Sequence, residues 1–189
     1  MTDSETDFRE FVLSALVEYE CRLVHYSTRL LYGNTERARD VVQHAFLKLC
    51  EQDQSTVQDH LGPWLFRVCR NRAIDELRRD GTTQQVPPEL LDRADVSQAD
   101  PSASAESSDL LDYIQVLIDR LPQSQQEIVE LWSQGLKHDE IAQVVEKKPG
   151  AVRGALHRAI KSLKEDERVR QWLRETDKVE VKILSLIHI

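Results

Sequence analysis

The sequence predicts an all-α protein made of two small helical domains joined by a flexible linker, and three observations carry that prediction. Only 6 Gly and 6 Pro occur in 189 residues, too few for a turn-rich β protein. Apolar residues recur at i, i+3, i+4 and i+7 wherever the chain is dense enough to build a core. Between two such blocks, residues 81–108 are rich in Thr, Gln, Ser, Ala and Asp and hold Pro87, Pro88 and Pro101. A stretch of that composition cannot bury enough apolar area to offset its ordering entropy. The expected organisation is a first module over 1–80, a linker over 81–108, a second module over 109–165 and a tail over 166–189.

In the first module Phe8, Phe11, Val12, Ala15, Leu16 and Tyr19 mark one face of an amphipathic helix. A second helical stretch is expected to run to about Tyr32 and stop at Gly33. Asn34 then suits an N-cap and Glu36 the first turn of the next helix. Its core stripe is Ala38, Val41, Val42, Ala45, Phe46 and Leu49, with Arg37, Asp40, His44 and Lys48 opposite. After a polar loop, Pro63 fits the first turn of a further helix reaching Arg79, with Leu65, Val68, Cys69 and Ile74 available to the core. A single helical turn is expected over 89–94.

The second module opens on the stripe Leu110, Leu111, Ile114, Leu117, Ile118 and Leu121. Pro122 starts a helix carrying Ile128, Val129, Leu131 and Trp132, and Gly135 closes it. Ile141, Ala142, Val144 and Val145 define a short helix, and Val152, Ala155, Leu156, Ala159 and Leu163 the last stripe. Two short helices joined by about four residues, the second strongly basic, form a helix-turn-helix pattern. Val169, Trp172 and Leu173 are available to dock a terminal helix, while residues 178–189 turn apolar with no partner strand and carry no assigned function.

Composition narrows the function classes. The formal charge is −8, which on average argues against a nucleic-acid binder. The average conceals a segregation: 147–164 carries six bases and no acid, whereas 81–112 holds seven acids and only Arg93. Cys21, Cys50 and Cys69 are too few and scattered for a disulfide framework and read as reduced thiols. The acidic N-terminus has no secretory pattern, and no apolar run is long enough for a membrane span, so a cytoplasmic protein is expected. There is no Walker loop, nucleophile elbow or zincin signature, so neither catalytic residues nor a cofactor are expected. Cys21 and His25 are four apart, but a metal site needs further ligands that the sequence does not offer, and no metal is expected.

Two constellations remain. Arg153, His157, Lys161 and Lys164 share a helix face, and Lys147, Lys148 and Arg158 flank it. Such a face attracts a phosphate backbone by releasing condensed counterions, although a merely solvated basic helix would look the same. Along the helix from Trp64 to Arg79, Arg67, Arg70, Asn71 and Arg78 fall on one side. A ring and guanidiniums together suit unpaired nucleic acid, where bases stack and arginines track the backbone. The rival account is a buried Trp with arginines paired to Asp75 and Glu76.

Taken together, RLLYGNTERARDVVQHAFLKLC, GPWLFRVCRNRAIDELRR and RLPQSQQEIVELWSQGLKHDEIAQVVEKKPGAVRGALHRAIKSL resemble a bacterial sigma factor of the extracytoplasmic-function type. The resemblance covers roughly 8–80 and 109–165 and implies conserved regions 2 and 4. It implies that Asp40, Gln43 and Lys48 dock on core RNA polymerase. It implies that Trp64, Arg67, Arg70, Asn71 and Arg78 open and hold the minus-ten element, with the 52–62 loop as a pocket for an extruded base. The helix over 149–164 would enter promoter DNA at the minus-thirty-five element. A dedicated anti-sigma factor is a further partner that such a family member often has; a membrane is not.

The chain departs from the family where Ala151, Gly154 and Ala155 replace hydroxyl or basic residues in the recognition helix, removing groups that read base edges. His138 replaces the Ser or Thr that often precedes the short helix, with Asp139 available as a cap. Two other readings fit the same residues: a helix-turn-helix regulator acting without polymerase, and a degenerate sigma-like module that binds only protein.

Overall fold

The computed structural model describes residues 3–81 and 108–175, with side chains over 7–81 and 113–171. These form two compact units divided in the main between the two blocks, and the described residues outside turns are helical.

The first unit begins with α1, Asp3–Leu30. The two stretches expected there are one uninterrupted helix, because no Gly or Pro falls between its ends. Its end differs in detail too. Tyr32, not Gly33, is the first left-handed residue (φ 53°), followed by Gly33 at φ 90°. The Gly33 N–H donates to the Thr28 carbonyl at 2.9 Å and Tyr32 N–H to that of Arg29 at 3.3 Å, a Schellman closure. α2 follows, Thr35–Cys50, its first turn capped by Asn34 Oδ1, which accepts from Arg37 N–H at 3.1 Å. All six apolar stripe residues expected for it are buried.

The expected polar loop is partly helical: α3 spans Gln54–Val57 and a 3₁₀ turn spans Gln58–His60. Thr56 Oγ1 donates to the Asp53 carbonyl at 2.7 Å, and Val57 is buried, so one apolar anchor and one side-chain bond hold the turn. α4, Leu61–Arg79, buries Gly62, Leu65, Phe66, Cys69 and Ala73. Phe66 and Ala73 were not expected in the core, whereas Val68 and Ile74 are only half-buried. Gly62 and Ala73 lack bulk, which hides the period they complete. α1, α2 and α4 pack on one another, with Tyr26 edge-on to Phe66 at 5.3 Å between ring centres.

The second unit comprises α5 (Ser108–Asp119), α6 (Gln123–Ser133), α7 (His138–Val145), α8 (Pro149–Glu165) and α9 (Glu167–Glu175). Gly135 at φ 83° ends α6 as expected, with Leu136 N–H reaching the Leu131 carbonyl. α7 starts at His138, so Asp139 lies inside the first turn and is not the cap. The main-chain N–H of Lys137 instead donates to Glu140 Oε2 at 2.6 Å, the reciprocal half of a capping box. α8 buries Val152, Ala155, Leu156, Ala159 and Leu163, the expected stripe, and packs on α5, α6 and α9.

α9 is tied in at its start. Asp166 Oδ1 accepts the N–H groups of Arg168 and Val169, and its Oδ2 accepts the Tyr113 hydroxyl of α5 at 2.8 Å. Arg168 lies 4.3 Å over the Tyr113 ring, and Val169 is buried. The side chains of Leu110, Leu111, Trp172 and Leu173, the 89–94 turn and the apolar 178–189 segment lie outside the described residues.

Candidate nucleic-acid interface

On α8 the sequence sorts into two faces because its apolar residues repeat at helical spacing. Opposite the buried stripe, Arg153, His157, Arg158 and Lys161 are exposed and Lys164 is half-buried. Lys147 and Lys148 are exposed in the connection that leads into the helix. Lys161 lies 3.9 Å from Glu165, and Arg153, His157 and Arg158 have no ion-pair partner among the described residues. Arg153, His157, Arg158, Lys161 and Lys164 therefore share the side of α8 away from the core, and Lys147 and Lys148 lead into it.

Three small residues in α8 now separate. Ala155 is buried in the stripe, so its lack of a polar group has no bearing on base reading; that expectation is corrected by its core-facing position. Ala151 is exposed and Gly154 half-buried on the cationic side, where polar reach is indeed reduced. A Cβ on Gly154 would lie 3.4 Å from Arg158 Nη1, an ordinary contact with a movable group.

On α4, Arg67, Asn71 and Arg78 fall within roughly 40° of one another about the axis, given 3.6 residues per turn. Asn71 and Arg78 are exposed, and Trp64, Arg67 and Arg70 are half-buried, so neither extreme expected for this helix holds throughout. Arg67 has no ion-pair partner among the described residues, and Arg78 lies 3.5 Å from Asp75. Glu76 instead pairs with Arg72, Nε to Oε1 at 3.1 Å. The paired-arginine account thus applies to Arg72 and Arg78, not to Arg67. Just past the end of α2, an open cavity of ≈ 460 Å³ is lined by Asp7 and Phe8 of α1 with Gln52, Asp53 and Gln54.

On α2, Asp40 and Gln43 are exposed and Lys48 is half-buried, 2.7 Å from Glu51. Leu47, which sequence reasoning passed over, is 58% exposed beside them. Arg37 was grouped with this polar face, yet it turns towards α4: its Nε donates to Glu76 Oε2 at 3.3 Å and its Nη1 to Asp80. The Asp80 carboxylate above all, with Glu76, raises the Arg37 pKa, so the guanidinium is held charged. Nothing in residue spacing announces a pair 39 positions apart.

Comparison with known proteins decides the family. Residues 16–83 match sigma-70 region 2, and residues 111–163 match sigma-70 region 4. The chain belongs to the sigma-70 family. Carrying these two regions, it is of the extracytoplasmic-function type, as the sequence resemblance implied. The chain is similar to the ECF RNA polymerase sigma factor SigE of Mycolicibacterium smegmatis, 28% identical over 152 residues. That alignment takes in 79% of this chain and 59% of the relative's length. Within the sigma-70 frame, α2 and α4 belong to the region 2 match and α6, α7 and most of α8 to the region 4 match. α9 lies beyond both.

Among the described residues, no cluster of three or more His, Cys, Asp or Glu could hold a metal ion, and no helix is long and apolar enough to cross a membrane.

Proposed function

We propose that this sigma-70 chain is a transcription initiation factor that binds core RNA polymerase and directs it to promoter DNA. The observation that carries the reading is the pairing of both sigma-70 regions on one chain, with an exposed basic side on α8 and a partly exposed arginine side on α4. Residues 1–80 would engage polymerase through Asp40, Gln43 and Lys48. The α4 residues Trp64, Arg67, Arg70, Asn71 and Arg78 would hold the melted minus-ten strand. The 52–62 loop, whose first residues line the cavity beside Phe8, would receive an extruded base. Capture of unpaired bases offsets part of the unstacking cost, on the order of a few kcal/mol per base.

Residues 109–165 would lay α8 along the minus-thirty-five duplex through Lys147, Lys148, Arg153, His157, Arg158, Lys161 and Lys164, with 81–108 as the tether. The work is binding, not catalysis, and its place is the cytoplasm, where polymerase and promoter meet. An anti-sigma factor fits the same scheme, since any protein covering Asp40 and Gln43 would keep the chain from polymerase.

Run-off transcription with purified core polymerase tests the reading: accurate initiation from a cognate template supports it, and neither association nor initiation on any template ends it. Arg153→Ala should weaken duplex binding and flatten the dependence of log affinity on log salt by about one unit. An unchanged slope would mean that this side of α8 does not meet phosphate.

A second reading, a sigma-like module that binds protein only, draws on Ala151 and Gly154, which thin the polar reach of α8. It predicts polymerase association without initiation.

A further inference from the structure

The apolar core of the first unit stops short of where α4 ends. Of the described residues of α4, none beyond Ala73 is buried, yet Arg78 and Arg79 lie in the last turn. Apolar burial is non-directional, so it holds α4 against α2 without fixing the position of that last turn. What reaches it is charge. Glu76, only 12% exposed in its side chain, takes a guanidinium on each oxygen: Arg37 of α2 on Oε2 and Arg72 of its own helix on Oε1. One helical turn on, Asp80 accepts the other arm of the same Arg37. Planar guanidinium forks impose direction as well as attraction.

We propose that Arg37 is a positioning residue: by gripping Glu76 and Asp80 it fixes the last turn of α4 relative to the exposed Asp40–Gln43 side of α2, and so sets where Arg78 meets the melted strand. The proposal rests on the reading that α2 faces polymerase and α4 faces that strand. Arg37 touches neither partner itself. It acts through Glu76 and Asp80, and the residue it serves is Arg78.

The test uses the full chain assembled with core RNA polymerase and a fluorescent single-stranded oligonucleotide carrying the unpaired minus-ten sequence. Arg37→Gln should leave polymerase affinity within about twofold and weaken strand binding on the order of tenfold. Arg37→Lys, which keeps charge without the fork, should show only part of that loss, and Arg39→Gln, which removes an exposed neighbouring charge, should bind the strand as the wild type does. Thermal melting shows that each variant is folded. The deciding measurement is coupling: once Arg78→Ala has weakened the strand complex, adding Arg37→Gln should cost little more. Additive losses, or no loss from Arg37→Gln while Arg78→Ala weakens binding, would overturn the positioning role and leave the function standing. If Arg78→Ala itself changes nothing, or no holoenzyme forms, the underlying reading falls and takes this proposal with it.

Discussion

The three thiols occupy different environments, and their reactivity should follow. Cys21 and Cys50 are exposed, whereas Cys69 is fully buried in α4. Burial pushes the Cys69 thiol up from its ordinary 9.0 to about 12, with the neighbouring Ser27 side chain acting in the opposite direction. A thiol-exchange reagent at pH 8 should therefore modify Cys21 and Cys50 in the native chain and Cys69 only after denaturation. Because the native pKa lies above the unfolded one, the contribution of this group to stability is intact below pH 9 and declines as pH rises towards 12. Melting temperature should fall more steeply above pH 9 in the wild type than in Cys69→Ala. Gly62 offers a second test at this scale. A Cβ there would lie 3.1 Å from Cε1 of Tyr19, which is closer than side chains ordinarily pack. Gly62→Ala should destabilise the first unit by about 1–3 kcal/mol in chemical denaturation, since the ring sits between α1 and the start of α4.

Single helices show how far local rules reach. The α2 stripe, the Asn34 cap and the two-faced α8 are legible from spacing alone, because a period of 3.6 and a cap side chain act over only one or two turns. The end of α1 and both ends of α7 are less so. Tyr32 and Glu146 adopt left-handed conformations that glycine usually supplies, and Lys137 precedes α7 where a hydroxyl residue is usual. The two left-handed residues are held by main-chain bonds, Gly33 N–H to the Thr28 carbonyl and Lys147 N–H to that of Ala142, and the start of α7 by the Glu140 side chain. Gly154 is the opposite case, a residue whose flexibility the fold does not use. It lies inside α8 with room for a methyl group, so Gly154→Ala should stabilise the second unit by about 1 kcal/mol, visible as a higher melting temperature. No change, or a loss, would mean that the Arg158 side chain cannot move aside.

At the scale of the whole molecule, the division into two helical units and the family of the chain were readable before any coordinates, because linker composition and paired motifs are properties of long stretches. The cationic α8 was readable for the same reason: an acid-free run of six bases stands out in an acidic chain. The Arg37 tie, the cavity beside Phe8 and the clasp on α9 were not, since each joins residues distant in sequence that only packing brings together. The acids around the linker bear on function at this scale. Neutralising Asp92, Asp95, Asp100 and Asp109 should raise polymerase-free affinity for duplex DNA at least about twofold at fixed low salt, by removing charge that repels phosphate. Equal affinity in a filter-binding comparison would remove electrostatic restraint from the account. The Asp166 clasp also warns against trusting family borders when cutting the gene. The region 4 match stops at residue 163, and a fragment trimmed there would strand the Tyr113 hydroxyl and uncover the pocket filled by Val169. Anyone isolating the second unit should carry the coding sequence through residue 175, where the last described helix ends.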